Sequence, residues 1–269
     1  MEKFLKIFKR RQVIIGMIHL KALPGTPAYQ NNNTDIIAAA VAEAKLYKKA
    51  GIDALAIENM HDVPYIKNDV GHEISTMMAV IGREIKRETN LPCGIQILSS
   101  ANKAALAVAK AADLDFIRAE GFVYGHLADE GYIDACAGDL LRYRKQIDAE
   151  HIAVFTDIKK KHSSHALTAD VSLVETAKTA AYFRSDGLLI TGSSTGSAAS
   201  IEEIKAVKAA CNIPVIVGSG VTRDNLETYL FHSDALIVGS YFKQNGHWNN
   251  PLDYDKIVGF MEKVNKLRA

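Results

Sequence analysis

Short runs of branched apolar residues recur along this chain, and each is followed by a longer stretch in which apolar residues return every three or four positions. The runs predict strands over residues 12–20, 53–59, 92–98, 116–120, 151–158, 187–191, 213–217 and 235–240. They are near-continuously apolar instead of alternating, as strands covered by helices on one face and by a core on the other must be. The intervening periodicity predicts helices over 34–50, 72–89, 102–112, 135–148, 169–184 and 201–210, a further helix capped by Thr222, and a last one over 251–267. Thr34 or Asp35 suits the N-cap of the first of these, and Gly51 its end.

Eight strand–helix units imply a closed parallel sheet wrapped by helices, a (β/α)8 TIM barrel of the ribulose-phosphate-binding type, as one domain over residues 1–269. An open doubly wound sheet fits less well, because no GxGxxG follows the first strand. Residues 1–11 precede the barrel. Phe4, Leu5, Ile7 and Phe8 are interspersed there with Lys3, Lys6, Lys9, Arg10 and Arg11. This amphipathic segment suits a short helix closing the bottom of the barrel, and it also admits a peripheral contact with a membrane surface.

Composition changes this picture only by exclusion. At 48% hydrophobic and 23% charged residues the chain can build a large core, and a formal net charge of +1 argues against nucleic-acid binding by bulk charge. Cys93, Cys136 and Cys211 are scattered without zinc-type spacing, which suits a reducing cytoplasm. No apolar run approaches the roughly 18 residues of a membrane span, and the N-terminus carries no cleavage-site pattern.

In this fold chemistry collects at the C-terminal ends of the strands. His19, Glu58, Arg118, Asp157 and Lys161 stand there as candidate catalytic residues, with Asn59, Asp62, Glu120 and His162 as further residues of the mouth. A carboxylate in an apolar mouth is expected to have a raised pKa, which suits Glu58 to proton transfer, with Asp157 as its partner. Arg118 and Glu120 share a face, either as a buried ion pair or as groups that orient substrate. Lys161 admits a role as a base or an imine-forming amine, and Lys159 and Lys160 read as a solvated loop. A divalent metal among His19, Glu58, Asp62 and Asp157 is admitted by residue type but by no diagnostic spacing, and no organic cofactor is called for.

The last three strands share one grammar: an apolar run, then glycine and hydroxyl residues. Thr191-Gly192-Ser193, Gly218-Ser219-Gly220 and Gly239-Ser240 follow them in turn. Glycines at strand ends let backbone N–H groups approach a ligand, so these loops predict a phosphate grip.

GMIHLKALPGTP (16–27), Glu58-Asn59 with Asp62 and Pro64, FIRAE (116–120), DIKKKH (157–162), ITGSSTG (190–196) and VIVGSGVTRDN (216–225) together resemble the BtpA/SgcQ family across nearly the whole chain. The resemblance implies a barrel enzyme. It also implies two functional branches, one of photosystem I biogenesis factors peripheral to membranes and one associated with sugar uptake and epimerase-like proteins. The third strand departs from the family, reading Gln96-Ile97-Leu98-Ser99-Ser100-Ala101 where an arginine and an acid are usual. The expected function is an enzyme acting on a small phosphorylated metabolite, of sugar-phosphate isomerase, epimerase or lyase type, either alone or as a homo-oligomer. The alternatives are an assembly factor that uses the barrel as a scaffold and a nucleobase- or nucleoside-directed enzyme.

Overall fold

The computed structural model describes residues 1–192 and 196–269. Eight parallel strands close a barrel: β1 (Val13–His19), β2 (Ala54–Glu58), β3 (Cys93–Gln96), β4 (Phe116–Ala119), β7 (Ala153–Asp157), β9 (Gly187–Ile190), β10 (Val215–Val217) and β11 (Ala235–Val238), with β11 returning to pair β1. The expected (β/α)8 architecture is therefore present. Short strands β5 (His126–Ala128), β6 (Gly131–Ile133) and β8 (Ser163–Ser164) form a small separate sheet over the mouth. The sequence pattern gave no sign of it, because strands of two or three residues carry too few positions to show a period.

Helices α2 (Asn33–Lys49), α3 (His72–Thr89), α4 (Asn102–Ala111), α5 (Ala137–Gln146), α6 (Leu173–Tyr182), α7 (Ile201–Ala210), α8 (Leu226–His232) and α9 (Tyr254–Arg268) surround the barrel. Two expected caps are corrected. Helix α2 is capped by Asn32, whose side chain accepts the Asp35 N–H. Thr222 does not cap α8; it exchanges hydrogen bonds with Asn225, the residue before the helix, and so closes a turn.

Side chains alternate between two separate cores. Outward residues such as Ile14, Leu55, Ile117 and Leu236 pack beneath the helices. Inward residues Val13, Ile15, Met17, Ala54, Ala56, Phe116, Ala153, Phe155, Leu189, Ile216, Ala235 and Ile237 fill the barrel. At the bottom, helix α1 (Glu2–Phe8) turns Phe4 and Phe8 into this interior, where their rings lie 6.1 and 5.7 Å from Phe155 and Phe116 respectively. Phe4 and Phe8 of the N-terminal segment are thus used by the barrel, while Leu5 stays exposed. Phe116 fills the space left by Gly94, where a Cβ would meet its ring at 2.1 Å.

One device recurs around the bottom. Asp53, Asp115, Asp186 and Asp234 immediately precede β2, β4, β9 and β11. Each carboxylate accepts the N–H of a residue near the start of the preceding barrel strand: Ile14 at 2.7 Å, Cys93 at 2.8 Å, Val154 at 2.9 Å and Val215 at 2.9 Å. Each aspartate N–H donates back to the carbonyl of that same residue. Cations then neutralise the carboxylates: Arg268 on Asp53, Lys86 on Asp115, Lys3 and Arg144 on Asp186, Arg11 and Lys208 on Asp234.

Replacing Asp234, which is 1% exposed, by alanine leaves the Val215 N–H buried without its acceptor. Asp234→Ala is expected to cost about 2–3 kcal/mol, read as a lower urea midpoint at unchanged slope, with Asp234→Asn recovering most of it. An unchanged midpoint in the alanine variant would show that the clamp carries no stability.

Candidate active site

Above the phenylalanine layer the barrel interior changes character. Met17 and Ile237 floor a cavity of about 180 Å³ at the C-terminal mouth. One wall carries His19, Glu58, Arg118 and Lys161, and the other carries Gly218, Ser219, Gly220, Gly239 and Ser240. The first group comes from β1, β2, β4 and the loop after β7, the second from the loops after β10 and β11, and closure of the barrel brings them together at one mouth.

Arg118 and Asp157 form a bidentate pair, Nε to Oδ2 at 2.8 Å and an Nη2 donor to Oδ1 at 2.9 Å. Both side chains are buried, Asp157 completely. Burial works against the Arg118 charge, but the Asp157 carboxylate more than offsets it and holds the guanidinium above its ordinary pKa. Asp157 does not line the cavity. It fixes the Arg118 guanidinium, which itself lines the cavity, through two of its donors.

His19 and Glu58 pair in register across β1 and β2, with Nε2 and Oε2 3.7 Å apart. The Trp248 carbonyl accepts a hydrogen bond from His19 Nδ1 at 3.1 Å, which assigns the proton to Nδ1 and leaves the Nε2 lone pair toward the cavity. Burial, reinforced by the Lys243 charge, lowers the His19 pKa to about 3. The ring is therefore neutral at physiological pH and acts as an acceptor. Burial also raises the Glu58 pKa, against the opposing pull of Arg118 and Lys161. Lys161 is shifted down, by burial first and by Arg118 second. Two groups whose pKa values are displaced toward neutrality, one from each side, face the same space.

The remaining candidates divide. Asn59 bridges Asp62 at 2.8 Å and the Leu98 backbone, while Asp62 accepts the Leu23 N–H; both brace loops. Glu120 accepts from Gln96, the Ser100 N–H and Lys160, and burial of its carboxyl is outweighed by the Lys160 and Arg118 charges, which hold its pKa down. The serines that depart from the family pattern, Ser99 and Ser100, are thus partners of Glu120. Lys160 is buried in this network, and Lys159 donates to the Thr168 and Val171 carbonyls, so neither is the solvated residue expected. His162 is exposed and does not line the cavity.

The glycine loops divide too. Gly218 and Gly239 face the interior, Gly239 so closely that a Cβ would come within 3.3 Å of His19. Gly192 and Gly220 instead serve loop packing, since a Cβ would meet the Ser197 carbonyl oxygen at 2.3 Å from Gly192 and 2.4 Å from Gly220. The Gly192 N–H is taken by the Ser219 hydroxyl, which itself donates to Ser197. Thr191 Oγ1 is buried and has no partner among the described residues. Ser193 lies outside the described residues.

Gln96 and Trp248 were missed from sequence. Gln96 pairs with Glu58 in register and has a buried Oε1 without a partner among the described residues, so strand periodicity alone could have marked it as inward. Among the described residues no group of three or more His, Cys, Asp or Glu is placed to hold a metal ion.

Two outcomes follow from these environments. Asp157→Asn should cost about 3–5 kcal/mol, because it leaves the Arg118 charge buried and uncompensated; a loss no larger than that of a surface substitution would overturn the pairing argument. His19 takes up a proton on unfolding, so its contribution to stability is present above pH 6.5 and is lost as pH falls from there toward 3. Chemical denaturation across that window should show a shallower decline in His19→Asn than in the wild type, the residual slope including His126, which burial likewise lowers to about 4.

Comparison with known proteins agrees with this architecture. A Caenorhabditis elegans protein named only as uncharacterized and mitochondrial is 49% identical over 263 residues, covering 96% of this chain and 95% of its own. The photosystem I biogenesis protein BtpA of Synechocystis is 30% identical over 258 residues, covering 96% and 89%. Among solved structures, (S)-3-O-geranylgeranylglyceryl phosphate synthase of Thermoplasma acidophilum superposes with a TM-score of 0.60 at 16% identity, covering 98% of both chains. Thiamine phosphate pyrophosphorylase of Pyrococcus furiosus does so with a TM-score of 0.60 at 14%, covering 97% of this chain and 100% of that one. The BtpA family model matches residues 10–266, and the chain belongs to the BtpA family.

Proposed function

We propose that this chain is an enzyme acting on a small phosphorylated metabolite, a sugar phosphate in type, by proton transfer next to a carbonyl. The observation that carries the reading is that a glycine-lined wall at Gly218 and Gly239 faces His19, Glu58, Arg118 and Lys161 across one cavity. The Gly218 N–H is taken by the Ile190 carbonyl at 2.9 Å, so what the glycine wall offers a phosphate is close approach over small residues, with no carboxylate among that wall's residues to repel it. Structural neighbours that act on phosphorylated substrates support the same reading.

The roles follow from protonation. Glu58 and Lys161 are the acid/base pair, because burial displaces both toward neutrality. Asp157, first paired with Glu58 on sequence grounds, is committed to Arg118 and serves as its brace. Arg118 stabilises the oxyanion that develops when a proton leaves the adjacent carbon. Neutral His19 accepts a substrate hydroxyl at Nε2. This set serves isomerisation, epimerisation or retro-aldol cleavage. A scaffold role in the assembly of a membrane complex, the alternative suggested by a cyanobacterial relative named as a photosystem I biogenesis protein, has weaker support, since Phe4 and Phe8 of the basic N-terminal segment point into the barrel.

A thermal-shift panel of sugar phosphates against the unphosphorylated sugars tests binding; a ligand at 100 times its Kd adds about 2.7 kcal/mol. Solvent-deuterium wash-in followed by NMR tests chemistry. Glu58→Gln should retain binding while exchange falls by roughly 10²-fold or more. If no phosphate compound shifts the protein, or if exchange is unaffected in Glu58→Gln, the reading falls.

A further inference from the structure

His19 also lies on the wall of a second cavity, of about 290 Å³, between helix α2 and the chain that follows β11. Its sides are largely apolar, from Leu20, Ile36 and Ala40. Two rings border it. His61 and Trp248 meet edge to face, with centroids 4.8 Å apart and planes at 86°. Lys21, Glu43, Asn249 and Asn250 line its more exposed edge, and the buried polar group on its wall is Lys243, only 2% exposed, whose ammonium donates to both Glu43 oxygens at 2.7 and 2.9 Å. A lysine ammonium carries three protons, and the described hydrogen bonds of Nζ use two of them, both toward Glu43.

A cavity of about 150 Å³ already accepts a benzene ring, so this one has room for a six-membered ring with substituents. Apolar walls and aromatic edges favour a flat, weakly hydrated group over a sugar. The third Lys243 proton favours a ring that carries an acceptor, such as a carbonyl, ring nitrogen or carboxylate. The two cavities share His19, and the same Trp248 that edges the second one holds His19 through its carbonyl.

We infer that the second cavity is a subsite for a planar, acceptor-bearing ring attached to the phosphorylated substrate, with the phosphate at Gly218 and Gly239 and the ring between Trp248 and Lys243. The inference rests on the phosphate reading above and deepens it to a class: a ring-substituted sugar phosphate in which the bond or carbon between ring and phosphate lies beside His19.

Trp248 is the sole tryptophan of the chain, so its emission reports on this cavity directly. The full-length protein is titrated with ribose 5-phosphate and, separately, with uridine, cytidine, adenosine and guanosine 5′-monophosphates. Titration is followed by tryptophan emission and by calorimetry. The expected result is that at least one nucleotide changes Trp248 emission and binds roughly tenfold tighter than ribose 5-phosphate. Ala39, half-buried on α2 at the edge of the cavity, offers a way to fill it without touching either wall of the first. Ala39→Phe should remove the nucleotide advantage and leave ribose 5-phosphate affinity within a factor of about two. Equal binding of all the compounds, or a nucleotide advantage that survives Ala39→Phe, would overturn the subsite while leaving the sugar-phosphate reading standing. Failure of every phosphate compound to bind would remove both.

Discussion

A parallel barrel has to fix the stagger of eight strands at one end if the other end is to present side chains at fixed positions. Here that task falls to the aspartates before β2, β4, β9 and β11. Each exchanges two hydrogen bonds with one residue of the preceding barrel strand and is neutralised by lysine or arginine from α1, a flanking helix or a chain terminus. Because the clamps sit at the bottom, they set strand register without occupying the mouth. The four phenylalanines packed just above them, Phe4, Phe8, Phe116 and Phe155, then exclude water from the lower barrel. The polar residues of the mouth consequently stand on an apolar floor, which is the source of their shifted pKa values.

Electrostatics in the mouth are settled by who is paired with whom. Arg118 is compensated by Asp157, and Glu120 by Lys160, within the barrel wall. Glu58 and His19 have no such compensation at hydrogen-bond distance from one another, since 3.7 Å separates them. The protein thus spends two buried ion pairs on positioning and leaves the groups with displaced protonation facing the cavity. A third ion pair, buried Lys243 with Glu43, brings a cation close enough to His19 to reinforce its neutrality.

The barrel was legible because its strands are rich in branched apolar residues and buried on both sides, so that Val13–His19 or Ala153–Asp157 could be read against no competing period. Site position was legible for the same reason: strand ends are countable. Pairing was not. Nothing in the order of residues says that Asp157 faces Arg118 across neighbouring strands, or that Lys160 belongs to Glu120, because those partners are set by register. The glycine-rich loops read alike in sequence, which cannot distinguish a glycine packed against a side chain of the mouth, such as Gly239 against His19, from one that makes room for another loop, such as Gly220. The aspartate clamps were readable in principle, as an acid placed directly before alternate strands, but that repeat is one residue wide and easily lost among surface charges.

The interlock between the loops after β9 and β10 has a consequence for how this rim can change over generations. Ser219 holds the Gly192 N–H and the Ser197 carbonyl together, and Gly220 admits the backbone of Ala198 at a distance no side chain would tolerate. Neither loop can be exchanged for a homologous one of different shape unless its neighbour is exchanged with it. Descendants of this barrel that acquire new specificity along that rim should therefore inherit the two loops as a single cassette, while the loop after β11, which carries Trp248, drifts on its own.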